Sequence, residues 1–506
     1  MASLLDTPVD QLLGRAWTRI HPESRKAFFW LMGLSLLAFG FEMTNLTLHH
    51  DDLIQIFIQD DILGHYLGRF LVGKLHLYTQ GHFFIPFLQM VEGMVLMALY
   101  AIIVARFWGV ERTLDLVLVG GVICVFPYMA QVYQYNTSMA TYPMAHLLAA
   151  LAVIASVRRG LVWILVGALL YIAAFGIYQS VLANAATIFL VWMLLRAFSS
   201  DEAFFSRDLW RAVGGALAAV LIGGIVYVLI VKSMHIQFDA YQDAGEAFEL
   251  EKGIDITAGI HKVINGTRAY FFWPEHYYPG FLKKLQLLLL LAAGLVCLLR
   301  PRKLVNRAAA VVLFGLAALA PRVLELLHPH GHYHALTLTA YALVLAAAVT
   351  LLTRHGGVLA RNLATLVTAL LLAGFLLQTN WISTVNHLNT LAHITRLNEV
   401  LARVRAIRDP AWDGRRIIVV GRLNLPSEYP FKPATGVATE FMDASHMQKL
   451  AGLLRARVEF IQAGEHTPEA LAWAANRHIW PASDSVGVVN GTGVVVFAPV
   501  GRQPAP

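Results

Sequence analysis

The sequence predicts an all-α polytopic membrane protein with about 11 transmembrane helices, followed by a small C-terminal α/β domain. Of its 506 residues, 57% are apolar and only 14% are charged, whereas a soluble chain averages about 25% charged residues. Apolar runs of about 20 residues, long enough to cross the hydrocarbon layer, recur up to about residue 380. This composition excludes an ordinary cytosolic enzyme and a disordered chain. The net charge of +7 indicates basic cytoplasmic loops, and we expect no nucleic-acid partner.

Eleven apolar segments are predicted to form the spans, after a cytoplasmic N-terminal segment over 1–26. They lie near 27–47, 83–105, 113–130, 141–157, 160–177, 180–197, 211–232, 282–299, 307–321, 335–353 and 362–379. The fifth and sixth form one apolar stretch that is too long for a single span. We therefore expect a turn at residues 178–180.

The distribution of Lys and Arg predicts the orientation of the spans. Basic residues are enriched in alternate connections, for example at Arg158 and Arg159 and again at Arg300 and Arg302. Because cytoplasmic loops carry the excess of Lys and Arg, the N-terminus is predicted to be cytoplasmic. The transmembrane domain then covers 27–380. Its two sizeable loops, 48–82 and 233–281, lie on the extracytoplasmic side together with the C-terminal domain.

The C-terminal domain, residues 381–506, has the composition of a soluble protein. Its hydropathy pattern predicts helices over 386–407, 444–456 and 467–477 and a strand over 415–421. The Asn490-Gly491 pair predicts a β-hairpin over 487–499, because this dipeptide favours a type I′ turn.

The first extracytoplasmic loop contains two pairs of adjacent carboxylates. Asp51 and Asp52 stand where the chain leaves the first span. Two adjacent carboxylates there are costly to keep ionised together, so one of them suits a general base. Solvated residues on an interfacial helix are the alternative interpretation, and the second pair, Asp60 and Asp61, is more typical of that helix's polar face.

The loop before the tenth span combines a guanidinium with four histidines. Arg322 lies on the side where positive charge is scarce, and its planar fork suits a phosphate; Glu325 is the rival partner. The histidines are His328, His330, His332 and His334. Because their spacing matches no established metal site, we expect no cofactor and instead an anion-handling role for His332 and His334. The alternatives are a divalent metal at His328–His334 and histidines that serve only as polar loop residues.

Two further regions have side chains suited to a sugar. Tyr135 and Asn136 lie in a charge-free loop that is rich in hydrogen-bonding groups, as expected for a sugar-contacting rim or for an interfacial tyrosine belt. Arg268 lies in the 233–281 loop among many aromatic residues. That density indicates either interfacial anchoring or a platform for lipid or sugar.

Several short motifs coincide in one arrangement along the chain. They are Asp51-Asp52, Gly68-Arg69, Pro127-Tyr128, Tyr135-Asn136, Pro143-Met144 and Tyr178-Gln179-Ser180. In this arrangement the chain, over roughly 30–400, resembles the Gtr-type glucosyltransferases, bacterial serotype-converting enzymes that modify lipopolysaccharide O-antigen. These in turn resemble the GT-C superfamily, whose members take sugars from polyprenyl-phosphate donors.

The resemblance implies hexosyl transfer on the outer face of a bacterial inner membrane. It implies a catalytic role for Asp51 and Asp52 and substrate contacts by Arg69, Tyr178 and Gln179. The implied partners are a polyprenyl-phosphate sugar donor, a glycan acceptor, membrane lipid, a flippase and a donor-making glycosyltransferase.

One position departs from the family pattern, because Asn136 stands where an aspartate is expected. This leaves open a second catalytic carboxylate or the identity of the sugar. Two alternatives to O-antigen modification remain. One is another GT-C transferase that acts on a pilin-like protein or a growing polysaccharide. The other is a transporter or flippase, for which Glu42 and Glu92 inside predicted spans are the supporting residues.

Overall fold

The computed structural model describes residues 18–48, 52, 67–80, 83–198, 204–235, 255–273, 279–329, 331, 333–407, 409–424 and 441–500. Its packing divides the chain into two compact units. The first, here called the helical unit, consists of Met1–Met43, Asp60–Tyr133 and Ser138–Asn380. The second, here called the mixed unit, consists of Thr44–Gln59, Gln134–Thr137 and Trp381–Pro506. Two short segments from early in the chain therefore belong to the same unit as the C-terminal residues.

Helices account for most of the described chain before the first strand. In order they are α1 (Pro22–Thr44), α2 (Val72–Gln80), α3 (Pro86–Phe107), α4 (Thr113–Cys124), α5 (Pro127–Tyr133), α6 (Thr141–Ser156), α7 (Leu161–Ile177), α8 (Val181–Arg196), α9 (Arg207–Ser233), α10 (Ile256–Phe272), α11 (Gly280–Leu299), α12 (Leu304–Leu319), α13 (Val323–Leu327), α14 (Tyr341–His355) and α15 (Gly357–Ala406). Short 3₁₀ turns cover Ala320–Arg322 and Ala335–Leu338.

Within the described residues, seven helical stretches are long and apolar enough to cross a membrane. They are α1, α3, α9, α11, α15, the Leu304–Leu327 stretch and the Ala335–His355 stretch. The pair α4 and α5, bent by 55°, would make an eighth. The apolar helices α6, α7 and α8 are shorter, at 16 or 17 residues. The chain is therefore a polytopic membrane protein, and the count of eleven crossings stays a prediction.

The predicted turn between the fifth and sixth apolar segments is confirmed. Helix α7 ends at Ile177 and α8 begins at Val181. Between them Tyr178 takes an extended conformation, with φ −156° and ψ 107°. An extended residue cannot continue a helix, so residues 178–180 separate the two helices, and Tyr178 and Ser180 are buried there.

Helix α14 lies at the centre of the helical unit, where every residue over 341–353 is buried. Small residues let other helices approach closely elsewhere in this unit, as is usual between membrane helices. A Cβ added at Gly223 of α9 would lie 3.0 Å from the carbonyl oxygen of Ala168 in α7. Replacing Gly223 by a larger residue would therefore force these two helices apart.

Residues 386–406 are helical, as predicted for 386–407, but they do not form a separate helix. Helix α15 runs without interruption for 50 residues, from Gly357 to Ala406. The polar residues after the predicted eleventh span do not end it, because neither glycine nor proline occurs between Phe375 and Ala406. Without such a residue, nothing local favours leaving the helical conformation.

The mixed unit contains the predicted α/β elements. Its strands are β1 (Arg416–Val420), β2 (Leu423–Asn424), β3 (Phe441–Met442), β4 (Glu459–Gln462), β5 (Val486–Val489) and β6 (Thr492–Val496), and its later helices are α16 (Ala444–Leu453) and α17 (Pro468–Ala474). A four-stranded sheet has the order β4-β1-β6-β5, with β1 parallel to both neighbours and β5 antiparallel to β6. Strands β2 and β3 form a separate antiparallel pair.

The predicted hairpin is confirmed, and the sheet packs against a helix. Asn490 and Gly491 have φ values of 49° and 77°, as a type I′ turn requires. On one face of the sheet, alternate residues such as Ile418 and Val494 pack with Ala470 and Ala474 of α17. This alternation is what one buried sheet face produces.

Candidate functional site

Asp52 is fully buried within the mixed unit, with 0% of its surface exposed. Its Oδ2 accepts a hydrogen bond from Nδ2 of Asn136 at 2.7 Å. Its Oδ1 accepts from the backbone N–H of Thr137 at 3.3 Å and from the Thr137 hydroxyl at 3.4 Å. These three donors are neutral groups, and their hydrogen bonds fix the orientation of the carboxylate.

Asn136 uses both of its amide hydrogens at this site. Besides its bond to Asp52, Nδ2 donates to the carbonyl oxygen of Thr47 at 2.6 Å. The residue that departs from the family pattern is therefore a donor to the proposed catalytic carboxylate. An aspartate here would place two carboxylates in contact, and like charges that close disfavour each other.

Helix α15 holds the chain that leads to Asp52. The backbone N–H of Leu48 donates to the hydroxyl of Thr390 at 3.1 Å, and Nδ1 of His387 donates to the carbonyl oxygen of Leu46 at 2.9 Å. Sequence reasoning missed His387 and Thr390, because two polar residues on a helix carry no local signal of a partner so distant in the chain. Within the mixed unit, Asp52 thus contacts residues 136 and 137, and the segment 46–48 contacts residues 387 and 390 of α15.

Arg69 lies in the helical unit, against two stacked tyrosines. Its Nη1 donates to the hydroxyl of Tyr142 at 2.7 Å. Its Cζ lies 5.0 Å from the ring centroid of Tyr178, whose ring stacks on that of Tyr142 at 4.3 Å. A guanidinium over aromatic faces is held by cation–π attraction. The structure therefore brings together Arg69 and Tyr178, which the sequence singled out separately.

Gln179 lies beside Arg69 in the break between α7 and α8. Its Oε1 lies 3.5 Å from Nε of Arg69, and its Nε2 donates to the carbonyl oxygen of Leu67 at 2.6 Å. Gly68 between them has φ +68°, a left-handed conformation that glycine adopts without a steric penalty. The Gly-Arg pair thus turns the chain so that Arg69 reaches the two tyrosines.

Arg322 is paired with a carboxylate in the helical unit. Its Nη1 contacts Oε1 of Glu325, and its Nε donates to the hydroxyl of Tyr341 at 2.9 Å. The Glu325 side chain is 1% exposed and that of Arg322 is 14% exposed. The ring of Tyr341 stacks on that of Tyr270 at 3.6 Å. Glu325, the alternative partner predicted for Arg322, is thus paired with it. Phosphate binding by Arg322 stays a prediction.

Lys262 of α10 holds the loop that contains the histidines. Its Nζ donates to the carbonyl oxygens of Pro329 and Gly331, the second at 2.7 Å, and lies 5.3 Å from the ring centroid of Tyr333. Burial lowers the pKa of Lys262, and the nearby Glu325 opposes this shift. The Lys262 ammonium group therefore fixes the backbone at Pro329 and Gly331.

The remaining predicted residues are distributed as follows. Tyr135 is adjacent to Asn136 and half-buried, and Arg268 is exposed on α10. His334 is within the described residues. Asp51, Asp60, Asp61, His330 and His332 lie outside them. Where side chains are described, no group of three His, Cys, Asp or Glu residues is arranged to hold a metal ion. The metal alternative at His328–His334 thus stays untested.

Comparison with known proteins gives one match. A family model described as glucosyl transferase GtrII matches residues 40–352, which is more than half of the chain. No curated protein and no solved structure matches significantly. The matched range includes Asp52, Arg69, Asn136 and Arg322, whereas the four-stranded sheet and residues 386–390 of α15 lie beyond it.

Proposed function

Because this chain belongs to the glucosyl transferase GtrII family, we propose that it transfers a glucosyl residue from a polyprenyl-phosphate donor to a surface glycan such as O-antigen. The family makes the chain a membrane glycosyltransferase, which uses a sugar donor and a glycan acceptor. We further propose that the donor is a lipid phosphate, that the acceptor is O-antigen, and that the reaction occurs on the outer face of the inner membrane. These proposals follow from the motifs over 51–180 and from the distribution of basic residues.

Asp52 is proposed to be the general base. As an acceptor hydroxyl attacks the anomeric carbon, its proton passes to the Asp52 carboxylate, a new carbon–oxygen bond forms, and the bond to the donor's phosphate breaks. The observation that carries this role is the burial of Asp52 among the neutral donors of Asn136 and Thr137. These donors orient the Asp52 carboxylate, and a fixed orientation is what a general base requires.

The departing lipid phosphate is proposed to be stabilised by Arg69 and Arg322, with His334 or His332 as a further contact. One or two fixed cations suffice to stabilise such a leaving group electrostatically. Arg69 is oriented by its contacts with Tyr142 and Tyr178. A pre-oriented guanidinium binds phosphate at a smaller entropic cost than a free one.

The test is a transfer assay with the purified full-length protein in lipid vesicles. The substrates are polyprenyl-phosphate glucose with a radiolabelled sugar and a lipopolysaccharide acceptor, and UDP-glucose replaces the donor in the control. We expect label to become covalently attached to the acceptor from the lipid-linked donor and not from UDP-glucose. Movement of the labelled lipid across the bilayer without a covalent product would instead favour a flippase.

A further inference from the structure

Two amide side chains are buried in the mixed unit without a hydrogen-bond partner. Asn386 of α15 is 1% exposed and Gln134 is 2% exposed. In each residue both the amide oxygen and the amide nitrogen are unpaired. A third amide, Asn389, has an unpaired Nδ2. Burying an amide without a partner is unfavourable, so a buried group of this kind requires an explanation.

Gln134 is close in sequence to the residues that bind Asp52, and Asn386 is close to the residue that binds Leu48, four positions before Asp52. Asn386 is one helical turn before Thr390 and therefore lies on the same face of α15. Thr390 accepts the backbone N–H of Leu48, and the adjacent Thr47 accepts the amide of Asn136. Gln134 precedes Asn136 by two residues. Gln134 thus lies next to the residues that bind Asp52, and Asn386 lies one turn from the residue that binds the segment before Asp52.

We propose that Gln134 and Asn386 bind hydroxyl groups of a hexopyranose ring beside Asp52. An amide presents an acceptor oxygen next to two N–H donors, and a sugar hydroxyl both donates and accepts. Two such amides therefore suit a ring with neighbouring hydroxyls, whether this ring belongs to the donor or to the acceptor. The inference rests on the proposed function, because it assigns a substrate contact at the same site.

The position of Asn386 gives this subsite a particular source of specificity. The family match ends at residue 352, and Asn386 lies on the later part of α15. The matched region supplies Asp52 and Gln134. A helix beyond it supplies the second amide, so the choice of sugar depends in part on residues outside the shared family region.

The test combines apolar variants with deoxygenated substrates. Asn386→Leu and Gln134→Leu keep the approximate size of each side chain and remove its hydrogen bonds. Asn398→Leu is the matched control, since Asn398 lies on the same helix and is exposed. The value of kcat/KM is measured in the vesicle assay with glucose and with each monodeoxyglucose in the donor, and then with deoxygenated acceptors.

We expect each apolar variant to lower kcat/KM by about 10-fold to 100-fold, because a site built to bind hydroxyls depends strongly on them. The wild-type protein should lose a similar factor with the deoxy substrate that lacks the bound hydroxyl, and the variant should lose little more with that substrate. A response to deoxygenated donors places the donor's ring in the subsite, and a response to deoxygenated acceptors places the acceptor's ring there. Asn398→Leu should behave as the wild type.

A loss of the same size on deoxygenation in wild type and variants would overturn the inference, and the amides would then bind water. Thermal unfolding gives a second measurement. Since an unpaired amide is removed, the midpoint should not fall, and a fall parallel to the loss of activity would indicate a structural role. If Asn386→Leu does not fold, Gln134→Leu provides the same comparison from a separate segment. Absence of transfer by the wild type would contradict the proposed function instead.

Discussion

The surroundings of Asp52 and those of Arg322 differ in how each charge is balanced. Asp52 of the mixed unit accepts hydrogen bonds from the neutral groups of Asn136 and Thr137. Arg322 of the helical unit contacts the buried carboxylate of Glu325. Neutral donors orient a carboxylate, whereas a carboxylate beside a guanidinium compensates much of the guanidinium's charge. The first arrangement is typical of a base, and the second also suits a purely structural pair.

The largest effect is expected from breaking the Arg322 pair. Arg322→Leu leaves Glu325 buried without its cation, and breaking a buried ion pair costs about 3–5 kcal/mol of stability. The double variant Arg322→Leu/Glu325→Leu should regain most of that stability. If Arg322 binds the donor's phosphate, the double variant still transfers glucose about 10²-fold to 10³-fold more slowly. Thermal unfolding and the transfer assay measure the two effects.

Arg396 and Glu399 provide the matched control for this prediction. They form an ion pair with the same three-residue spacing, but their side chains are 37% and 42% exposed. Arg396→Leu should therefore cost less than about 1 kcal/mol and leave transfer unchanged. If the double variant regains both stability and activity, Arg322 is a structural residue and the phosphate contact belongs elsewhere.

A smaller effect is expected from Asn136→Asp. This variant would give Asp52 a charged neighbour, as Arg322 has in Glu325. The new carboxylate replaces a donor with a second negative charge against Asp52, so we expect transfer to fall by about 10-fold or more at neutral pH. Asn398→Asp, on an exposed part of α15, is the control. Full activity of Asn136→Asp would mean that the bond from Asn136 to Asp52 does not matter for the reaction.

The smallest effect is expected at Asp413, an exposed residue shortly before strand β1. Hydrogen bonds from the backbone N–H groups of Arg416 and Arg415 lower its pKa below the ordinary value of 3.8. A lowered folded-state pKa stabilises the protein above the ordinary pKa and is lost as the pH falls through the folded-state value. Asp413→Asn should thus lower the free energy of unfolding slightly at neutral pH, by less than about 1 kcal/mol, as measured by denaturant titration. A difference that grows in acid would contradict this.

The helices were predictable because their signal is local. An apolar run of sufficient length predicts a span wherever it occurs, and the length of the 160–197 stretch predicted the break at Tyr178. The Arg322–Glu325 pair was also foreseeable, since residues three apart on a helix are neighbours. The continuity of α15 was not foreseen, because the polar residues after the predicted span resembled a boundary and only the lack of glycine and proline argued against one.

The arrangement around Asp52 depends on contacts that sequence patterns do not specify. Asp52 and Asn136 were both singled out, yet their bond joins residues 84 positions apart. The bond from Leu48 to Thr390 spans 342 positions. Thr390, His387 and Asn386 are polar residues on a helix, where the simplest expectation is solvent exposure. Only packing reveals which polar face of α15 is buried.

The most direct test of the central claim is the turnover of Asp52→Asn in the vesicle assay with saturating polyprenyl-phosphate glucose. The amide fills nearly the same space but does not act as a base, so we predict a fall in kcat of about 10²-fold to 10⁴-fold while the protein still folds. Asp208→Asn, at a 44% exposed carboxylate paired with Arg159, should keep wild-type turnover. Transfer by Asp52→Asn at the wild-type rate would contradict the assignment of Asp52 as the base.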